Sequence, residues 1–237
     1  MEKEVNWNEL LIHKKKGIKN LCVQAQVTPS QLVDAYKGKL IAQTSIDKRD
    51  LFVHLLNQTL TEREQEYIDK VCVLPHRDNR TATQYATDLT VNWLLEDLTT
   101  ELFNKADIPN KKSGADSNRD YLDEGQITSA CDFKVKLGTT VRNLEVIYDH
   151  TNYWYRNDKL DLRLNKHNNL ANDQALLLGI DTQRGSAFVI DYRVKPETVE
   201  SYHEAYGKTV HSLVGIRAML APISVVMDRM KEELWTY

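Results

Sequence analysis

Two carboxylates stand thirteen residues apart in a stretch that has the pattern of a β-hairpin. Asp132 precedes a segment in which apolar residues alternate with lysines, and Glu145 is the one charged residue in the apolar segment 144–147. The alternation has the period of a strand, and Gly138 between the segments predicts the turn. Two acids that face each other across a hairpin repel, and a divalent cation relieves that repulsion. We therefore expect a metal-dependent phosphodiesterase site with Asp132 and Glu145 as ligands of a divalent cation.

A plainer interpretation of the hairpin stays open beside this one. Acids on adjacent strands are often solvated or paired with basic side chains, and Lys134 and Lys136 are close at hand. An acid in an apolar strand nevertheless costs free energy unless a positive group meets it, so Glu145 requires a partner in either interpretation.

The segments around the hairpin are predicted to position it. Apolar spacing and capping residues predict helices before the hairpin, at 6–16, 47–58, 61–71 and 83–105. Residues 74–82 are predicted to be a linker and residues 107–125 a long polar loop. After the hairpin we expect a short helix or a loop at 165–172, and strands at 175–180 and 186–191 around a turn at 183–185.

The C-terminal part is predicted to be helical again from Pro196 onwards. Its last helix would place six apolar residues along one side, with Pro222 as a kink. These residues are Leu213, Ile216, Leu220, Ile223, Val226 and Met230. This long apolar helix is a candidate dimer surface, or it covers the sheet.

The composition excludes several classes of protein. The net charge of −3 is incompatible with a generally basic coat for nucleic acid, although lysines cluster at 14–16, 111–112 and 134/136. The three cysteines are widely separated and form neither a metal-binding spacing nor a disulfide framework. No signal-peptide pattern or segment of membrane-spanning length is present. We therefore expect a soluble, cytoplasmic protein without membrane contact.

Residues 17–36 resemble a helix-turn-helix motif. Ile18, Leu21 and Cys22 would form the inner face of its first helix, and Gln26 stands at the turn position that usually holds Gly. Gln26 would therefore need a positive φ or a looser turn. The residues expected to meet DNA are Thr28, Ser30 and Gln31 at the second helix, with Lys15 and Lys16 on phosphates. The alternative is a helix pair that packs without contacting DNA.

Residues 83–195 resemble the PD-(D/E)xK nuclease superfamily. The residues 131–132 (Cys-Asp) stand where that family has Pro-Asp, and 144–147 (Leu-Glu-Val-Ile) stand where it has Glu-x-Lys. The resemblance implies a restriction-endonuclease-like core with the element order αβββαβ. It also implies Mg²⁺-dependent hydrolysis of DNA, and a homodimer where both strands of a duplex are cut.

One position departs from the family pattern and affects the mechanism. Ile147 occupies the place of the family's lysine, which would stabilise charge on the phosphate. Lys134 is a possible substitute on the strand of Asp132, and Lys166 could approach from a following helix. In a second register 132–134 itself supplies the D-x-K half, with Asp116, Asp120 or Asp123 as the other acid. A further carboxylate from the long helix would be Asp88 or Glu101, because Glu96 points away from the apolar stripe.

The sequence therefore predicts an α+β protein with a helical DNA-binding region at 1–74 and a nuclease-like domain with C-terminal helices at 83–237. The expected function is Mg²⁺-dependent endonuclease cleavage of DNA, with Asp132, Glu145 and Lys134 as catalytic residues. A DNA-binding protein or regulator that has lost catalysis is the first alternative, since Ile147 permits it. The second is a structural or interaction protein.

Overall fold

The protein has an α+β fold, as the sequence predicts. A computed structural model describes residues 12–28, 31, 61–71, 81–114, 130–203 and 208–233. The chain divides into two compact units, one of Met1–Glu101 with Ala115–Thr128 and one of Leu102–Gly114 with Ser129–Tyr237. The domain boundary expected between 74 and 83 stays a prediction, because residues 72–80 and the helix predicted at 47–58 lie outside the described residues.

The described part of the first unit is helical. Its helices are α1 (Ile12–Ala25), α2 (Glu62–Val71) and α3 (Ala82–Lys105), whose last turn belongs to the second unit. Ile18, Leu21 and Cys22 are buried on one side of α1, as expected. The helix end predicted at Lys16 is wrong, because α1 continues through Gly17. A single glycine costs a helix only about 1 kcal/mol, which the buried face that follows offsets.

Helix α3 begins with a reciprocal capping box. The Gln84 amide donates to Thr81 Oγ1 over 3.2 Å, and the Thr81 amide donates to Gln84 Oε1 over 2.9 Å. From Thr90 to Thr99 every residue except Asn92 is buried. The expectation of one apolar stripe with Glu96 pointing away from it is therefore wrong, because this part of α3 is enclosed on all sides and Glu96 is buried as well.

The second unit is built on two sheets. The larger sheet has the strand order β1-β2-β3-β5-β6-β9, and the smaller sheet has the order β4-β8-β7. Only the β3–β5 pair is parallel among these described strands. The strands are β1 (Asn110–Lys112), β2 (Phe133–Leu137), β3 (Thr140–Asp149), β4 (Lys159–Leu162), β5 (Leu176–Asp181), β6 (Ser186–Asp191), β7 (Val199–His203), β8 (Lys208–Val214) and β9 (Ala221–Pro222).

The connection from β3 to its parallel neighbour β5 crosses one face of the larger sheet. It contains α4 (Tyr153–Asn157), then β4, then α5 (Leu164–Asn172), so the ambiguous segment 165–172 is a helix. A buried cluster joins this connection to the sheet through residues such as Leu170, Leu177 and Phe188. Phe103 at the end of α3 packs edge-on against Phe133 of β2, with ring centroids 5.5 Å apart. The order from α3 to β5 is helix, three strands, helix and strand, with α4 and β4 inserted.

The C-terminal region differs from the predicted helix. Residues 199–203 and 208–214 form the strands β7 and β8, which are followed by α6 (Ile216–Met219), by β9 and by α7 (Ile223–Lys231). The apolar spacing from Leu213 to Met230 resembled one helix, but Leu213 faces the core from a strand and Leu220 precedes β9. The long helix proposed as a dimer surface therefore does not exist.

Two smaller outcomes complete the fold. The predicted loop 107–125 contains β1, an edge strand that no hydrophobic pattern indicated, and residues 115–125 lie outside the described part. The turn predicted at 183–185 is confirmed between β5 and β6. In the described part of the chain, no helix is long and apolar enough to cross a membrane.

Candidate active site

The fold brings Asp132 and Glu145 together. Phe133 pairs with Leu144 in the β2–β3 ladder, so the residues next to them, Asp132 and Glu145, stand opposite one another. Their carboxyl groups share a hydrogen bond, and Asp132 Oδ2 also accepts the Val146 amide over 2.8 Å. Glu145 is buried, with 6% of its surface exposed. The hairpin thus forms the acid pair that the sequence predicts.

Strand β1 holds the chain segment that carries Asp132. The Ser113 amide donates to the Asp132 carbonyl over 2.8 Å, and Ser113 Oγ donates to the Cys131 carbonyl over 2.8 Å. These bonds extend the β1–β2 ladder beyond Phe133 and fix the backbone immediately before the strand. Sequence reasoning missed Ser113, because its contribution depends on the pairing of a three-residue edge strand.

A lysine reaches the acid pair from α5 and not from the hairpin. Lys166 lies in the first turn of α5, and its Nζ forms an ion pair with Glu145 Oε1. Ile147 packs against the buried cluster and supplies no polar group. Lys134 is exposed on β2, directly opposite Lys111 on one side and Asn143 on the other. Of the two lysines weighed as substitutes for Ile147, the structure therefore places Lys166 in contact with the acids.

The acid pair has too few partners for both of its acids to be charged. Burial and then the charge of Glu145 raise the pKa of Asp132 from 3.8 to about 8, although the Val146 amide and Lys166 act in the opposite direction. Burial and the same acids raise the pKa of the Cys131 thiol to about 12. Asp132 therefore holds a proton near neutral pH, and Cys131 remains a neutral thiol with no nucleophilic character.

The donor set suits a hard divalent cation. Mg²⁺ is usually bound by one or two carboxylates, with water and substrate phosphate completing its coordination. Asp132 and Glu145 supply two such carboxylates, and a cation between them would relieve the repulsion that raises the pKa of Asp132. Within the described ranges, no group of three or more His, Cys, Asp or Glu side chains is placed to hold a metal ion. Further ligands would therefore be water or phosphate.

The other carboxylates considered for the site have different surroundings. Asp88 forms an ion pair with Lys14 inside the first unit, and Glu101 is half-buried on α3. The candidates for the second register, Asp116, Asp120 and Asp123, lie outside the described residues.

A second set of buried acids lies at the ends of β3 and β5. Asp149 accepts hydrogen bonds from the Thr151 amide and hydroxyl and from the Trp154 amide, at 2.8 to 2.9 Å. Asp181 accepts the amides of the following turn through Oδ1. Both acids thus order the chain where a strand ends, which is a structural role.

The turn predicted after α1 is present. Gln26 has a φ of 59°, the positive value that the missing glycine requires. Thr28 and Gln31 form a reciprocal capping box, at 3.1 and 2.8 Å, as expected for the start of a second helix. Thr28, Gln31 and Lys16 are exposed and Lys15 is half-buried, whereas Ser30 lies outside the described residues. The positive φ of Gln26 and the capping box agree with the expected turn, but the segment after Gln31 lies outside the described residues, so the helix-turn-helix and its DNA contact stay predictions.

The aromatic residues after the hairpin separate into core and surface. Trp154 is buried and packs edge-on against Phe188, with ring centroids 5.2 Å apart. Tyr155 is exposed, and the Arg184 guanidinium stacks on its ring at 3.6 Å.

No family model, curated protein or solved structure matches this chain.

Proposed function

We propose that this protein is a Mg²⁺-dependent phosphodiesterase that cleaves DNA, with Asp132 and Glu145 as metal ligands and Lys166 as the phosphate-facing lysine. The observation that carries the proposal is the contact of Lys166 with an acid pair on a β-hairpin. Two carboxylates can hold a divalent cation, and a lysine can stabilise the charge that develops on the phosphate oxygens in the transition state. The element order along the chain from α3 to β5, apart from the inserted α4 and β4, also supports the PD-(D/E)xK resemblance.

The residues divide the chemistry in the following way. Asp132 and Glu145 would hold the divalent cation, which would supply a bound water of lowered pKa and polarise the phosphate. Asp132 would serve as a ligand in its deprotonated form. Lys166 would stabilise the negative charge that develops on a phosphate oxygen. Val146 keeps Asp132 oriented through its amide.

A digest of plasmid DNA in Mg²⁺ tests the proposal. Asp132→Asn is expected to abolish cutting, because the metal loses a ligand. Lys166→Met is expected to slow cutting by about 10²–10³-fold, the usual cost of removing one donor to a developing oxyanion. Lys195→Met is the control, since Lys195 is an exposed lysine of the second unit whose Nζ donates a hydrogen bond to Asn168 Oδ1 and contacts neither Asp132 nor Glu145 in the bonds that the structure shows.

Two results would refute the assignment. Cutting that persists in Asp132→Asn would place the metal elsewhere. If Lys134→Met slowed cutting by about 10²–10³-fold while Lys166→Met cut DNA at the wild-type rate, Lys134 and not Lys166 would be the catalytic lysine.

A DNA-binding protein without catalysis is the second candidate. The capping box at Thr28 and the positive φ of Gln26 support a helix-turn-helix in the first unit. Thr28, Ser30 and Gln31 would then read bases, with Lys15 and Lys16 on phosphates. Gel retardation without Mg²⁺-dependent cutting would favour this candidate, and cutting lost in Asp132→Asn would exclude it. A homodimer would supply the two sites that cleavage of both strands requires, and analytical ultracentrifugation tests it.

A further inference from the structure

Three lysines occupy one exposed face at the edge of the larger sheet. Lys134 and Lys136 alternate with the buried residues of β2, so both side chains lie on the opposite side of the strand. Lys111 of β1 stands directly opposite Lys134 in the ladder. All three residues are exposed. We call Lys111, Lys134 and Lys136 the lysine strip.

The lysine strip is electrostatically unfavourable on its own. Directly opposed side chains on antiparallel strands have their Cβ atoms about 4.5–5.5 Å apart, and like charges in that position repel. The neighbours across the ladder on β3 are Asn143 for Lys134 and Val141 for Lys136, which bring no negative charge. An anion that binds over Lys111 and Lys134 would relieve the repulsion between them, which makes its binding favourable.

The lysine strip leads to the acid pair. Asp132 precedes Lys134 by two residues, on the same side of the chain, and residues two apart on a strand are separated by about 6.6 Å. That distance is about the axial rise of two nucleotides in one strand of B-DNA. A DNA strand that lies along β2 with one phosphate at Asp132 and Glu145 would therefore bring the phosphates about two and four nucleotides away near Lys134 and Lys136.

We propose that the lysine strip docks the phosphate backbone of a DNA strand and guides it to Asp132 and Glu145. This inference rests on the proposed function for the identity of the ligand. Phosphate contacts position a nucleic acid and carry no sequence information, so the strip contributes equally to the binding of any duplex.

The salt dependence of DNA binding tests the proposal. The anisotropy of a fluorescent duplex oligonucleotide is measured in EDTA, which prevents cutting, between 50 and 200 mM NaCl. The variants are Lys134→Gln/Lys136→Gln and the control Lys195→Gln/Lys208→Gln, which removes two exposed lysines of the second unit away from β1 and β2. Each lost phosphate contact lowers the slope of log K against log[salt] by about 0.9. We expect the magnitude of the slope to be about 1.8 smaller in the strip variant than in wild type, and the slope of the control to equal that of wild type.

Each other outcome overturns the proposal. Equal slopes in the strip variant and wild type would show that the lysines meet no phosphate. An equal decrease of the slope in both double variants would show that the effect comes from the net charge of the protein and not from the position of the lysines. An absence of DNA binding by wild type would remove the ligand itself.

The plasmid digest keeps the two proposals separable. A reduced slope with no Mg²⁺-dependent cutting by wild type would leave the lysine strip in place and refute the catalytic role. If cutting depends on Asp132 but the salt slope of the strip variant is unchanged, the catalytic role stands and the docking role of the lysine strip is refuted. Circular dichroism checks that both double variants fold. Lys134→Gln removes the repulsion between Lys134 and Lys111, so we expect it to cause no loss of stability.

Discussion

Asp132→Asn is expected to stabilise the metal-free protein, and to do so more strongly as the pH rises from 5 to 7. Burial and the charge of Glu145 raise the pKa of Asp132 from 3.8 to about 8. Asparagine carries no charge, but its carbonyl oxygen still accepts the Val146 amide that Asp132 Oδ2 accepts at 2.8 Å. The substitution therefore removes the need to bind a proton at this buried position and keeps the hydrogen bond from the Val146 amide.

The direction and size of the effect follow from proton binding. Between pH 4 and pH 8 the folded protein holds a proton on Asp132 that the unfolded chain has released. The free energy of unfolding of wild type therefore falls as the pH rises, by up to about 1.4 kcal/mol per pH unit. Between pH 5 and pH 7 this contribution amounts to at most about 3 kcal/mol, and the asparagine variant lacks it.

Urea unfolding in EDTA at pH 5, 6 and 7 measures the effect. The contributions of all other titrating groups cancel in the difference between the free energies of unfolding of Asp132→Asn and wild type. Asp228→Asn, on the exposed side of α7, is the control, and its difference from wild type is expected to stay constant. A flat difference for Asp132→Asn, or a variant less stable than wild type at each pH, would refute the strained acid pair.

Three further predictions concern metal binding and packing. Mg²⁺ is expected to raise the melting temperature of wild type more at pH 8 than at pH 6, because the cation must displace a proton; no rise at pH 8 would contradict the metal site. Gly179→Ala is expected to cost about 3 kcal/mol in urea unfolding, since a Cβ there would lie 2.2 Å from Phe188 Cζ. Gly215→Ala, where only the φ of +80° is unfavourable, should cost less, about 1–2 kcal/mol; equal losses would argue against the clash. Asp149→Ala should lower the free energy of unfolding by about 1–3 kcal/mol, through the lost hydrogen bonds at the start of α4, and an unchanged melting temperature would exclude that role.

The sequence predicted the elements whose signal is local. The alternation of Phe133, Val135 and Leu137 with lysines gave the strand and its buried side, because one face of β2 meets the core. The need for a positive φ at Gln26 followed from the absence of glycine and is confirmed. Both inferences use only the residues next to the feature, which is why they succeed without knowledge of the fold.

The failures arise where distant chain segments decide the structure. Apolar residues three and four apart from Leu213 onwards predicted a helix, yet residues 208–214 pair with β4 and β7 as a central strand. A buried strand and a buried helix segment have similar apolar content over such short lengths. The strand β1 has no apolar pattern that could predict it. It is held by backbone pairing with β2 and by the hydrogen bonds of Ser113, which depend on a distant part of the chain.

Asp161 and Asp191, two other acids of the second unit whose side chains are buried, have partners that Asp132 lacks. Asp191 is held by Arg142 and Arg193, and Asp161 by Lys159 with two hydroxyl donors. Each of these acids has its charge met, and the pKa of each lies below its usual value because of those partners, despite burial. Asp132 and Glu145 share one lysine and one amide, and there the pKa of Asp132 rises instead. Asp132 and Glu145 thus have too few partners for both acids to be charged in the metal-free protein, and the proposed Mg²⁺ would have to displace the proton of Asp132.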